Sequence, residues 1–201
     1  MTATLVLATR NAAKLIELRR ILAEAALAPR LSGVDEFPDV AEVAETGTTF
    51  AENAGLKAAA VAAATGLPAV ADDSGLCVDA LNGMPGILSA RWSGRHGDDT
   101  ANLDLVLAQV HDVPDARRGA YFACAAAIAL PDGIVEVVEG RVRGRLLRER
   151  RGTNGFGYDP IFLPEGHDRT TAQMSAAEKD AISHRGRALR ALLPALARTL
   201  S

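Results

Sequence analysis

The stretch Val70-Ala71-Asp72-Asp73-Ser74-Gly75 constrains this chain more than any other, because an apolar run delivers two adjacent carboxylates and then a Ser-Gly pair. Read as a strand over Ala69 to Asp72, it sets acid groups at a carboxyl end, where open α/β sheets bind their ligands. Side chains alternate across an extended backbone, so one acid can face a metal or water while the other turns toward supporting structure. The same letters also describe an acidic turn that caps the next segment, since Asp and Ser favour turns. The rest of the chain has to decide between these readings.

With 201 residues and 48% hydrophobic content, the chain can bury a core as one domain or as a core plus a lobe. A formal net charge of −3 argues against a binder of nucleic-acid polymers or anionic membranes, yet leaves room for a locally basic pocket. No basic leader opens the sequence and no run approaches about 20 strongly apolar residues, so the expectation is a soluble cytoplasmic protein. Cys77 and Cys124 are far apart and lack a metal-ligand pattern, which suits small apolar residues in a reducing compartment. Of 22 Lys and Arg residues only Lys14, Lys57 and Lys179 are lysines, leaving 19 arginines. In so Arg-biased a chain, lysines mark places where a compact ammonium is wanted, as beside phosphate oxygens, or they are chance survivors.

Thr4 to Ala8 reads as a buried strand, and Ala12 to about Ala25 as a helix with Leu15, Ile16, Leu18, Ile21 and Leu22 at helical spacing. The link Thr9-Arg10-Asn11 turns a strand into a helix, an anion site that Lys14 can reach, or simply a helix cap. Neither a Walker loop nor a GxGxxG fingerprint occurs. Leu31 to Val34 reads as a second strand, followed by an acidic loop, Asp35 to Gly47, that holds Glu42 and Glu45. Thr49-Phe-Ala-Glu52 has the form of a capping box and opens an Ala-rich helix carrying Lys57 and ending at Gly66-Leu-Pro68. A turn-rich loop follows Gly75, and Asp98-Asp99-Thr100 caps a helix to about Val110. Tyr121 to Leu130 and Ile134 to Val142 form a hairpin about Pro131-Asp132-Gly133. The arginines from Arg141 to Arg151 partly alternate, as on a solvated strand face.

In Gly155-Phe156-Gly157-Tyr158-Asp159 the flanking glycines leave the Phe156 ring uncovered, which suits stacking on a base or anchoring of the loop. Ser175-Ala-Ala-Glu178 is a second capping box, opening a short helix that includes Lys179. Ser183-His184-Arg185 begins a final amphipathic helix to about Leu200, interrupted by Pro194. Cationic side chains at a helix start oppose its dipole, a local cost that hints at function.

Taken together these motifs resemble the inosine triphosphate pyrophosphatase family. The matching residues are Thr9-x-Asn11-x-x-Lys14, Glu45-Thr-Gly47, Phe50-x-Glu52-Asn53-Ala54 with Lys57, Ala71-Asp-Asp-Ser-Gly75, Gly155-Phe-Gly-Tyr-Asp159-Pro, Lys179 and Ser183-His-Arg185. They fall in order along nearly the whole chain and include all three lysines. The resemblance implies a single domain, residues 1–201, with an elongated mixed α/β sheet, flanking helices and two lobes around a central nucleotide-binding cleft. It implies Mg²⁺-dependent hydrolysis of non-standard purine nucleoside triphosphates, ITP, dITP and XTP, to the monophosphate plus pyrophosphate, by a homodimer. Such an enzyme clears these nucleotides before they enter DNA or RNA. Asp73 would accept the proton of the attacking water and bind the metal with Glu45, while Asp72 supports the acidic centre. Thr9, Arg10, Asn11, Ala12, Ala13, Lys14, Lys57 and Ser74 would hold the phosphates, and Phe156, Gly157, Tyr158, Asp159, Lys179, His184 and Arg185 would surround the nucleoside.

The chemistry of the residues agrees. A triphosphate needs Mg²⁺ and ammonium groups to offset its repulsion of a nucleophile, and Mg²⁺ prefers carboxylate oxygens and water. Inosine and xanthine offer a carbonyl at the six-position where adenine offers an amino group, so donors from His184, Arg185 or nearby backbone would be left unpaired against ATP. Two alternatives remain at this stage. One is a Maf-like pyrophosphatase of pyrimidine or modified nucleotides, against which the Thr-x-Asn-x-x-Lys and Ser-His-Arg segments speak. The other is a nucleotide sensor without turnover, against which intact Glu45 and Asp73 speak.

Overall fold

The computed structural model describes residues 3–200, so Met1, Thr2 and Ser201, at the ends of the expected 1–201 domain, lie outside the described residues. The described chain is mixed α/β, with a six-stranded sheet in the order β2-β1-β3-β4-β5-β6. Its strands are β1 (Thr4–Leu7), β2 (Arg30–Gly33), β3 (Ala69–Val78), β4 (Gly119–Ala129), β5 (Val135–Leu146) and β6 (Phe162–Pro164). The helices are α1 (Ala12–Glu24), α2 (Phe50–Thr65), α3 (Asp99–Gln109), α4 (Ala176–Ile182) and α5 (His184–Leu200). β1 runs parallel to β2 and to β3, while β5 is antiparallel to β6.

The chain divides into two compact units, one of Met1–Asp73, Cys124–Gly140 and Arg185–Ser201, the other of Ser74–Ala123 and Arg141–His184. In the first, strand alternation sorts the core onto two faces. Leu5, Leu7, Val70, Cys124 and Ile128 pack with Leu18, Ile21 and Leu22 of α1 and Leu189, Leu192 and Leu196 of α5. Val6, Ala69, Ala71, Ala125 and Ala127 meet Ala54, Ala58, Val61 and Ala62 of α2. Burial on both sides explains why β1 reads as an unbroken apolar run. The second unit is built around Leu76, Val78, Leu103, Val106, Val142, Tyr158, Ile161 and Phe162. Both cysteines are buried and free, and burial pushes both thiols up, so neither is a nucleophile at neutral pH.

Local signals place the helix ends. Asn11 caps α1 by accepting from the Ala13 N–H at 2.9 Å. Thr49 caps α2, whose last turn closes on Gly66 at φ +67°, a conformation that suits glycine. The Glu52 carboxylate reaches back to the Thr48 N–H at 2.6 Å, one residue before the cap. The hairpin closes with the Gly133 N–H donating to the Leu130 carbonyl at 3.0 Å. No helix among the described residues is long and apolar enough to cross a membrane.

The structure moves several element boundaries: β4 begins two residues earlier than expected, at Gly119, β5 runs on past Val142 to Leu146, and β3 and β2 shift for reasons the packing shows. β3 does not stop at the acid pair but continues as a strand of ten residues to Val78. Gly75 is a strand residue whose missing side chain admits the Ser89 hydroxyl and the Gly86 carbonyl, and the Leu76 N–H donates to Ser89 Oγ at 2.9 Å. A close approach thus explains a glycine that reads from sequence as a turn. β2 begins and ends one residue earlier than expected, because Val34 already enters a single 3₁₀ turn, Val34–Glu36.

Candidate functional site

The catalytic candidates of the first unit gather about β3. Asp72 and Asp73 project to opposite faces and meet different company. Asp72 Oδ2 receives the Lys14 ammonium at 2.7 Å and its Oδ1 the Arg185 guanidinium at 3.3 Å. Burial alone would raise the Asp72 carboxyl, but the charges of Lys14 and Arg185 hold it well below the usual carboxylate range. Arg185 is itself buried and also paired with Glu17, so the cost of a cation at the start of α5 is met by two carboxylates.

Asp73 faces a less charged setting. Its Oδ2 accepts from Asn53 Nδ2 at 3.1 Å, and its Oδ1 lies 3.4 Å from the Lys57 ammonium, which sits 2.7 Å from Glu45 Oε1. Burial raises the Asp73 carboxyl, and the neighbouring Glu45 adds to the rise against the opposing pull of Lys57. Burial would lower Lys57, but Asp73 and Glu45 hold its ammonium charged. Adjacent acids in one strand are therefore shifted in opposite directions, Asp72 down by its cations and Asp73 up by burial.

Thr9, half-buried, accepts the Asn11 N–H on its hydroxyl at 3.2 Å, and Arg10, Ala12 and Ala13 are exposed at the start of α1. Ser74 is half-buried on β3 directly after Asp73. Among the described residues no group of three or more His, Cys, Asp or Glu side chains is poised around a metal. Glu45 and Asp73 nonetheless bring carboxylates to one ammonium, and two carboxylates completed by water and phosphate oxygens are a donor set that fits Mg²⁺.

Sequence reasoning gave no role to two residues of this group. Asn53, fully buried, accepts the Gly47 N–H at 2.8 Å while donating to Asp73, tying the Glu45-Thr-Gly47 loop to the Asp73 carboxylate. The signal was an Asn inside an alanine helix, one turn before Lys57 on the same face. Glu17 lies three positions after Lys14 and reads as an ordinary exposed helix acid, until Arg185 arrives from 168 residues away.

The nucleoside candidates of the second unit surround the glycine loop. Phe156 stands 72% exposed between Gly155 at φ +75° and Gly157 at φ +59°. A side chain at Gly155 would strike the Asp159 carboxylate, so glycine is required there. Asp159 is buried and saturated: Oδ2 accepts from the Phe156 N–H at 2.9 Å and the Lys179 ammonium at 2.5 Å, and Oδ1 from the Thr171 hydroxyl at 2.7 Å. The Lys179 ammonium lies 4.7 Å from the centre of the Phe156 ring. Tyr158 is buried, donates to the Ser89 carbonyl at 2.9 Å and has its phenol pushed up by burial, so it anchors the loop and does not titrate. The His184 ring stacks on Phe122 at 4.9 Å and helps line a recess with Phe162, Thr171, Lys179 and Ser183. Only the first part of the arginine series is an exposed strand face: Arg141, Arg143 and Arg145 are exposed on β5, with Arg141 and Arg143 over Tyr121, while Arg148 and Arg151 lie beyond the end of β5 and pair with Asp115 and Glu149.

Lysines beside paired acids in the first unit, and an exposed aromatic in a glycine loop of the second, are side chains suited to phosphorylated, ring-bearing ligands. The chain belongs to the Ham1 family, whose sequence profile matches residues 5–195. It is similar to a dITP/XTP pyrophosphatase of Streptomyces avermitilis, 67% identical over 94% of this chain and 95% of that protein. A second dITP/XTP pyrophosphatase, from Nocardia farcinica, is 61% identical over 97% and 95% of the two chains. Among solved structures it resembles a nucleoside-triphosphatase / dITP/XTP pyrophosphatase of Mycobacterium abscessus, at 55% identity and TM-score 0.82 over 96% of this chain and 99% of that one. A HAM1 protein from Coxiella burnetii gives TM-score 0.90 at 41% identity, covering 98% of this chain and all of that one (100%).

Proposed function

We propose that this protein hydrolyses ITP, dITP and XTP to the nucleoside monophosphate and pyrophosphate, removing them before they reach DNA or RNA. Residues 1–201 act as one catalytic domain, working in the cytoplasm as a homodimer on free nucleotides. The observation that carries the reading is the division of partners within the acid pair: Asp72 is held between Lys14 and Arg185, while Asp73 meets Asn53 and the Lys57 ammonium that also pairs with Glu45. The names of the close relatives support the same chemistry.

Asp73 takes the proton of the water that attacks the α-phosphorus, and burial, which raises its carboxyl, favours the protonated form that this step produces. Lys57 and Lys14 offset the phosphate charges; each ammonium has three N–H donors, so ion pairs with the acids leave others for phosphate oxygens. Thr9 to Lys14 and Ser74 complete the phosphate contacts. Asp72 holds Lys14 and Arg185 in place. Glu45 and Asp73 would hold Mg²⁺, which would supply positive charge against the charge that develops on the phosphates. Phe156 stacks on the purine, while Gly157, Tyr158, Asp159, Lys179, His184 and Arg185 bound and orient the nucleoside. Donors aimed at a six-carbonyl are left unpaired by adenine, which sets ATP apart.

The test incubates the protein and its Asp73→Asn variant with Mg²⁺ and ITP, XTP, GTP, ATP or a pyrimidine triphosphate and separates the products. Monophosphate plus pyrophosphate from ITP and XTP, with the variant slowed about 10² to 10⁴-fold, is the expected result. Diphosphate plus phosphate, or turnover of pyrimidine nucleotides alone, would refute it.

A further inference from the structure

Because Phe156 is 72% exposed, no core packing fixes where its ring stands. Its position depends on backbone flanked by glycines, the residues most free to move. Hydrogen bonds oppose that freedom. The Phe156 N–H donates to Asp159 Oδ2 at 2.9 Å, and the Asp159 N–H to the Phe156 carbonyl at 3.3 Å. A further one comes from outside the loop: the Gly157 N–H donates to Asp99 Oδ2 at 2.8 Å, across 58 positions of sequence. Asp99 is the first residue of α3, and capping does not account for it, since Asp98 is the cap and accepts the Ala101 N–H at 3.1 Å. α3 is fixed in the second unit's core by Leu103 and Val106. A rigid helix thereby holds the backbone immediately beside the aromatic ring.

We propose that Asp99 is a positioning residue for purine binding, fixing the Phe156 ring through the Gly157 N–H. The inference rests on Phe156 being the base-stacking residue of the proposed function. Asp99 belongs to none of the motifs by which the site is legible in the sequence. Because it touches neither phosphate nor nucleophile in this scheme, its loss weakens binding and leaves the chemical step intact.

A double-mutant cycle on the KM for ITP tests this, with Asp99→Ala, Phe156→Ala and the double variant of the full chain. Asp99→Ala raises KM about three- to tenfold at unchanged kcat, the effect of one lost hydrogen bond. Asp99→Asn, which keeps an acceptor for the Gly157 N–H, stays near the parent protein. In the Phe156→Ala background, Asp99→Ala adds nothing, because its target is gone. An unchanged KM, a loss confined to kcat, an equal effect in both backgrounds, or Asp99→Asn as impaired as Asp99→Ala overturns the proposal. A Phe156→Ala variant with unaltered KM overturns the stacking reading and this proposal with it, so the single variants tell the two failures apart.

Discussion

Removing the Asp72 carboxylate would leave Lys14 and a buried Arg185 without their shared partner, whereas removing the Asp73 charge relieves a carboxylate that burial already disfavours. Breaking a buried ion pair costs about 3 to 5 kcal/mol. Asp72→Ala should fall near the lower end of that range, about 3 kcal/mol, because Arg185 keeps Glu17. Asp73→Asn should leave stability unchanged or slightly higher at neutral pH. The sign follows from linkage: a carboxyl raised by folding costs stability once ionised, and an amide never ionises. Urea unfolding of both variants checks the contrast, and an Asp73→Asn variant as unstable as Asp72→Ala would refute it. That two adjacent acids in an extended run face different surroundings was legible. Which partners each acid would meet could not be read from the run itself, since Lys14, Asn53, Lys57 and Arg185 are all distant in sequence.

At the scale of elements, the helices were legible where side chains cap their own turns, and the strands less so where a neighbour decides their length. α4 shows the first case: Ser175 accepts the Glu178 N–H at 3.3 Å while Glu178 accepts the Ser175 N–H at 2.8 Å. β3 shows the second, because nothing within Ser74-Gly75 announces that Ser89 will pack against it. The α4 box also carries a pH prediction. The Arg169 guanidinium beside Glu178, helped by the Ser175 N–H, lowers its carboxyl from the ordinary 4.5 to about 2. A carboxyl lowered on folding stabilises above its unfolded value and loses that contribution as pH falls through the folded one. α4 should therefore loosen between about pH 4.5 and pH 2, by a small amount because the group is fully exposed. A carboxyl-carbon NMR titration of Glu178 with a midpoint near 4.5 would contradict this.

The molecule as a whole was legible as an order of motifs, but the membership of its units was not, because each unit is assembled from separated segments: the first from three, the second from two. Hydrophobic periodicity reports which face of a segment is buried and is silent about which distant segment covers it. Lys14 meets Asp72 across 58 residues, and Arg185 meets Glu17 across 168. One consequence concerns the whole fold. The Lys57 ammonium sits between Glu45 and Asp73 and offsets one of their two charges, and burial favours the uncharged form of Asp73, so folding is expected to need no divalent cation at those acids. Treatment with a chelator should abolish turnover of ITP while moving the thermal unfolding midpoint by less than about 2 °C. Metal that is structural instead contributes its binding energy to folding, and its removal unfolds the protein. Circular dichroism melts with and without chelator, beside an assay of pyrophosphate release on the same samples, separate the two. A large fall in the midpoint would assign the cation a structural role, and undiminished pyrophosphate release would remove it from the reaction.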